Sequence, residues 1–216
     1  MNLRFRYVIM ACFLLVAVTA GCQKTYYAVW EKLGKEKRHL LRDNVRKATE
    51  EQKEASEQFK DTLTRMKELY GFEGGDLEKI YKNLQTDFNE SEARADAVRE
   101  RVVQVERIAG DLFEEWQREI AQITSRTLRS QSSQTLRLSK QRYARLAAAM
   151  KKAEARMDPV LDQFRDNVLY LKHNLNAQAV GALRQEAGKI EVEVDSLITD
   201  MRASIQEAET FLKNFQ

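Results

Sequence analysis

Apolar residues recur every seven positions, in two interleaved rows, through nearly all of the chain beyond residue 40. In a first segment Leu41, Ala48, Ala55, Thr62 and Leu69 form one row, and Val45, Gln52, Phe59 and Met66 the other. A second carries Leu77, Leu84, Ser91, Val98, Val105 and Leu112 beside Tyr81, Phe88, Ala95, Val102, Ala109, Trp116 and Ile123. A third has Leu136, Tyr143, Met150, Met157, Phe164 and Leu171, interleaved with Leu146, Ala153 and Val160. A fourth has Val180, Ala187, Val194, Met201, Ala208 and Phe215 beside Leu183, Ile190, Leu197 and Phe211. This period belongs to helices packed along a seam; a strand repeats every two residues. Ile198, Ile205 and Leu212 widen the fourth stripe to what a multi-helix core requires.

Eight glycines and one proline in 216 residues leave little material for turns and strand edges. The fold class is therefore all-α. Each segment, at 1.5 Å per residue, makes a rod on the order of 60–75 Å. Rods of similar length favour an elongated antiparallel bundle of four long helices with coiled-coil-like heptad packing. The expected helices cover about 28–70, 76–124, 132–173 and 176–215, in a single domain over 31–216.

The turns are unevenly marked. Gly71-Phe72-Glu73-Gly74-Gly75 breaks the first segment from the second, and Asp76 is placed to cap the second. The second junction has no glycine or proline, only a slip in heptad phase and the diluting Thr124, Ser125, Thr127, Ser130, Ser132 and Ser133. A continuous second and third helix, giving a three-rod extended coiled coil, is the alternative fold. The third turn falls at His173-Asn174-Leu175-Asn176, where asparagine tolerates left-handed backbone. Asp158-Pro159 reads as a cap and first turn, yet the heptad keeps phase across it, so a kink or restart within one rod is expected. Polar residues in the seam, Gln52, Ser91, Glu119, Ser139 and Asn167, read as devices that fix register.

The first 21 residues have a different plan. Arg4 and Arg6 precede the apolar run Val8–Val18, and the small residues Thr19, Ala20 and Gly21 lead to Cys22. This is the organisation of a secretory signal, and the run is shorter than the roughly 20 residues a bilayer-spanning helix needs. Ala20-Gly21-Cys22 resembles the lipobox of bacterial lipoproteins, whose cysteine takes a diacylglyceryl group and becomes the new N-terminus. Thr19 departs from the leucine preferred there, and Val18-Thr19-Ala20 also fits ordinary cleavage. Cys12 leaves with the leader, so acylation of Cys22 would silence the remaining thiol in an oxidising compartment. Residues 22–30 then form a membrane-proximal segment in which Tyr26, Tyr27 and Trp30 suit the headgroup zone or, equally, the end of a helical core. Gln23 after the cysteine, where the enteric inner-membrane signal is Asp, implies an outer-membrane lipoprotein facing the periplasm; a soluble periplasmic protein is the alternative.

Without the leader the chain holds 34 basic and 33 acidic side chains, a balance that argues against gripping nucleic acid. One stretch stands apart. Arg126, Arg129, Arg137, Lys140, Arg142, Arg145, Lys151, Lys152 and Arg156 face Glu154 alone, whereas Asp76–Glu119 holds twelve acids against seven bases. Either this basic helix is matched between acidic neighbours inside the bundle, or it offers a surface for anionic lipid or glycan, with Arg126, Arg129, Arg137, Lys140, Arg142 and Arg145 as candidate binding residues.

No constellation for catalysis is legible. Glu36 and His39 form a single Glu-x-x-His pair, and His173 has Tyr170 three residues before it, so a bundle-type di-metal centre lacks its second pair. No Gly-x-Ser-x-Gly elbow occurs, and Gly71–Gly75 lacks the Lys-Ser/Thr of a phosphate loop. The expectation is a protein with no metal, no cofactor, no small-molecule substrate and no enzymatic activity.

The stretches "YYAVWEKLGKEKRHLL", "GGDLEKIYKNL", "LFEEWQREI" and "AEARMDPVLDQFRDNVLYLKHNLNAQA" resemble a bacterial family of uncharacterised lipoproteins that carry a single domain of unknown function. The resemblance covers roughly Tyr26 to Phe211. It implies a Gram-negative envelope location and a helical body, and carries over no functional residues. The expected role is structural: a lipid-anchored envelope protein that meets an envelope protein partner or itself through its helical bundle. The alternative is a binding module for anionic lipid or glycan through the Arg126–Arg156 face.

Overall fold

In the computed structural model, residues 37–71, 74 and 76–215 are described. Four helices account for nearly all of them: α1 (Lys37–Tyr70), α2 (Leu77–Gln122), α3 (Arg126–His173) and α4 (Ala177–Asn214). No strand occurs among the described residues. The chain divides into two compact units, residues 1–41 and 42–216. Of the first, only the opening turn of α1 is described; the four-helix bundle belongs to the second.

The heptad rows form its core. Val45, Ala48, Gln52, Ala55, Phe59, Thr62, Met66 and Leu69 of α1 are all buried, as are Leu84, Phe88, Ala95, Val98, Val102, Val105 and Ala109 of α2. Met150, Met157, Val160, Phe164 and Leu171 of α3, and Val194, Leu197, Met201, Ala208 and Phe211 of α4, complete it. Cross-helix pairs give the topology. Along α2 and α3, Gln117 with Lys140, Glu106 with Lys151, Arg99 with Asp158 and Glu92 with Arg165 descend one helix as they ascend the other. α1 runs antiparallel to α2 in the same way, through Arg101 with Glu51, Arg94 with Glu54 and Asp87 with Arg65. Lys67 reaches Glu191 of α4, and Arg156 of α3 reaches Glu193. The result is an up-down-up-down four-helix bundle, with α1 and α3 on one diagonal.

The second junction is a turn, so the continuous three-rod alternative is not adopted. Ile123 and Ser125 are extended, at φ −71°, ψ 118° and φ −66°, ψ 118°. The Ser125 hydroxyl accepts from the Leu128 amide, and Arg129 turns back to donate to the Ile123 carbonyl at 2.8 and 2.6 Å. Side-chain capping at both helix ends replaces the missing glycine. For the same reason α3 begins at Arg126, six residues before the expected start near 132.

Asp76 caps α2 as expected, accepting from the Lys79 amide at 3.0 Å. Asn174 and Asn176 do not use left-handed backbone: their φ values are −135° and −148°. Asn176 instead caps α4 by accepting from Ala179 at 2.9 Å. Pro159 neither restarts α3 nor makes Asp158 a cap, since α3 runs unbroken through both. Proline removes the donor for the Ala155 carbonyl; Ala155, Asp158 and Pro159 are all exposed, so the lost bond lies on the solvent side of α3. Asp158 pairs with Arg99 across α2.

Candidate functional site

α2 and α3 outrun α4. Arg142 donates to the carbonyl of Asn214, the last residue of α4, at 3.1 Å. Arg126–Gln141 of α3, about 24 Å of helix, therefore extends past that level, paired with the end of α2. An aromatic chain marks where the four-helix core stops: Phe113 to Tyr143 at 5.6 Å, Tyr143 to Phe211 at 6.2 Å and Phe211 to Phe215 at 4.6 Å between ring centroids. Beyond it burial falls away, and Glu119, expected in the seam, is exposed.

The basic stretch splits at this boundary. On the bundle side Lys151 pairs with Glu106 at 2.6 Å, while Lys152 and Arg156 both reach Asp200, each at 2.7 Å. Burial opposes the charge on Asp200, but hydrogen bonds from Lys152 and Arg156 outweigh it and hold the carboxyl below its ordinary value. On the hairpin side the arginines lack such partners. Arg126, Arg137 and Arg145 are exposed and make no hydrogen bond or ion pair among the described residues. Arg129 serves the turn, Arg142 caps α4, and Lys140 donates to Gln117 at 3.2 Å. Of the six candidate cations, three are thus tied to uncharged groups and three to nothing described. Sequence patterning places all six on one helix; only the antiparallel register reveals which have acids opposite them.

Between the two helices at this level lies a shallow groove of about 580 Å³, with Ile120, Leu136 and Ala144 in its lining together with Arg137 and Lys140. No sequence pattern marked Ile120, which lies outside both heptad rows of α2.

The polar core is small. Thr62 and Ser91 share a hydrogen bond of 2.9 Å between α1 and α2, and the Tyr70 hydroxyl donates to Asn167 at 3.1 Å. Burial pushes the Tyr70 phenol up to about 12. Burial raises Tyr143 as well, aided by the negative charge of Glu106, and its hydroxyl has no partner among the described residues. Gln52 Nε2 and Ser204 Oγ are likewise buried without partners. His39 and His173 are exposed. Among the described residues no group of three His, Cys, Asp or Glu side chains is placed to hold a metal, and no helix is long and apolar enough to cross a membrane. The leader, Cys22, the aromatics Tyr26, Tyr27 and Trp30, and the stretch 28–36 expected in the first helix all lie outside the described residues.

The chain belongs to the family described as protein of unknown function DUF2959, whose model matches residues 26–215. No curated protein and no solved structure matches it.

Proposed function

We propose that this member of the DUF2959 family is a lipid-anchored envelope protein with a non-enzymatic, structural or interaction role carried by its helical bundle. Cys22 is the acylated residue, and the outer membrane, facing the periplasm, is its location. The observation that carries this reading is the Thr19-Ala20-Gly21-Cys22 motif behind a short apolar run, joined to a bundle in which most described cross-helix charges are paired. Among the described residues the core is filled by apolar heptad rows and internal hydrogen bonds, as a structural role requires. The charged faces then serve a protein partner of the envelope or a second copy. Photo-cross-linking from the exposed faces in intact cells tests this: discrete protein adducts support it, and adducts confined to lipid contradict it.

A second reading, a binding module for anionic lipid or glycan, is favoured by one specific observation. The hairpin arginines Arg126, Arg137 and Arg145 have no acidic partner among the described residues, whereas Lys151, Lys152 and Arg156 do.

A further inference from the structure

We propose that the outer face of the α2–α3 hairpin is a docking surface for an anionic phospholipid bilayer, with Arg126, Arg137 and Lys140 as its cationic contacts. The inference rests on the second reading, of an anionic lipid or glycan ligand, and narrows it in both residues and ligand.

The helical repeat sets the face. At 100° per residue Arg137 lies about 20° from Arg126 around α3, and Lys140 about 40° to the other side. The three therefore form one stripe. Arg145 lies about 80° around from Arg137, and Arg142 is directed at Asn214. No acidic residue occurs between Glu119 and Glu154, so α3 itself supplies no counter-charge to the stripe. On α2, Glu114 is paired with Arg118 at 2.8 Å and Glu115 is also engaged, which leaves Glu119 as the local acid with no described partner.

Two physical features separate this face from a merely solvated one. Cations in the first turn of a helix are unfavourable, because the N-terminal end of the helix dipole is itself positive. α3 begins with Arg126 and has no acid in its first turn. An external anion relieves that repulsion. The groove of Ile120, Leu136 and Ala144 also opens beside Arg137 and Lys140, so apolar surface and positive charge share one face. Phosphate over acyl chain presents the matching pair, whereas a soluble polyanion offers charge without the apolar half. The bundle's first residues also lie at this end, since Arg101 meets Asn44 and Glu51 below the overhang.

The test uses the leaderless chain, residues 22–216, with Cys22→Ser so that no acyl group contributes. Co-sedimentation is measured with phosphatidylglycerol/phosphatidylcholine vesicles, with phosphatidylcholine vesicles, and with immobilised heparin as a purely polyanionic probe. Binding to the anionic vesicles is expected, weakening as salt is raised. Each cation at such a surface contributes about fivefold in affinity, so R126Q/R137Q/K140Q together should lose on the order of a hundredfold. The charge-matched K79Q/K82Q/K172Q variant, altered at the opposite end, should bind within about twofold of the parent on that same scale. Unchanged thermal unfolding of both variants separates lost docking from lost fold. Heparin binding without vesicle binding overturns the lipid inference and leaves the second reading standing. No binding to either probe overturns both. Equal binding by the two triple variants, or equal binding to neutral vesicles, overturns the assignment of the stripe.

Discussion

Phe59 of α1 and Phe164 of α3 meet across the bundle diagonal, their ring centroids 5.8 Å apart, on two helices that run in the same direction. Both side chains are fully buried, each a member of a heptad row. Their contact is the most direct sign that the four rods share one core. Truncation of either to Ala should cost about 3–5 kcal/mol through lost burial and the cavity left behind. A double-mutant cycle should show a coupling of about 0.5–1.5 kcal/mol. Urea unfolding measures both, and zero coupling would place the two rings in separate cores.

Asp200 makes stability pH-dependent. Its carboxyl is held below the ordinary 3.8 in the folded state, so its contribution is full above that value and fades as pH falls through the folded one. Lys152 is well exposed and Arg156 about one-third exposed, so solvent screening limits the effect. Asp200→Asn should destabilise by about 1–2 kcal/mol at pH 7, with the difference from the parent shrinking in acid. A variant gap that stays constant from neutral to acidic pH would contradict the pairing.

Three buried polar atoms without partners predict gains. Gln52 Nε2, Ser204 Oγ and the Tyr143 hydroxyl are each buried with no hydrogen-bond partner among the described residues. Gln52→Met, Ser204→Ala and Tyr143→Phe should each raise unfolding stability, by about 1 kcal/mol. For Tyr143 there is a further signature. Its folded pKa is raised, so the neutral form is the stable one, and stability falls as pH climbs above the ordinary 10 of tyrosine. Tyr143→Phe should blunt that alkaline loss. If Gln52→Met changes oligomeric state in sedimentation, Gln52 is a register device as well.

The α2–α3 turn depends on Arg129. Its two donors on the Ile123 carbonyl close the end of α2. Arg129→Ala should cost about 1 kcal/mol and speed amide exchange near Gln122 while leaving exchange around Phe59 and Phe164 unchanged. Lys, with a compact ammonium in place of a planar fork, should restore only part.

Heptad rows read the fold well because burial is periodic wherever four helices run together. They failed at Glu119, which keeps the phase of the row but lies past the level where α4 ends. Their slip in phase marked the α2–α3 junction but not how it is closed, because Arg129 acts over six residues on a carbonyl, a contact that neither composition nor phase encodes. Asn174 and Asn176 were legible as turn residues but not by mechanism: their side chains bond to backbone groups, and their φ stays negative. The basic stretch was visible as a block of charge. Which members are matched is set by antiparallel register alone, which is why Lys151 finds Glu106 while Arg137 finds no described partner.

Intact mass of the mature N-terminus, taken from membranes of the producing cell, tests the tether most directly. A chain beginning at Cys22 and heavier by a diacylglyceryl modification, with or without an amide-linked third chain, is the result expected of a tethered bundle. A chain beginning at Gly21 with an unmodified thiol, or one retaining Met1, would remove the tether and with it the proposed place of the protein in the envelope.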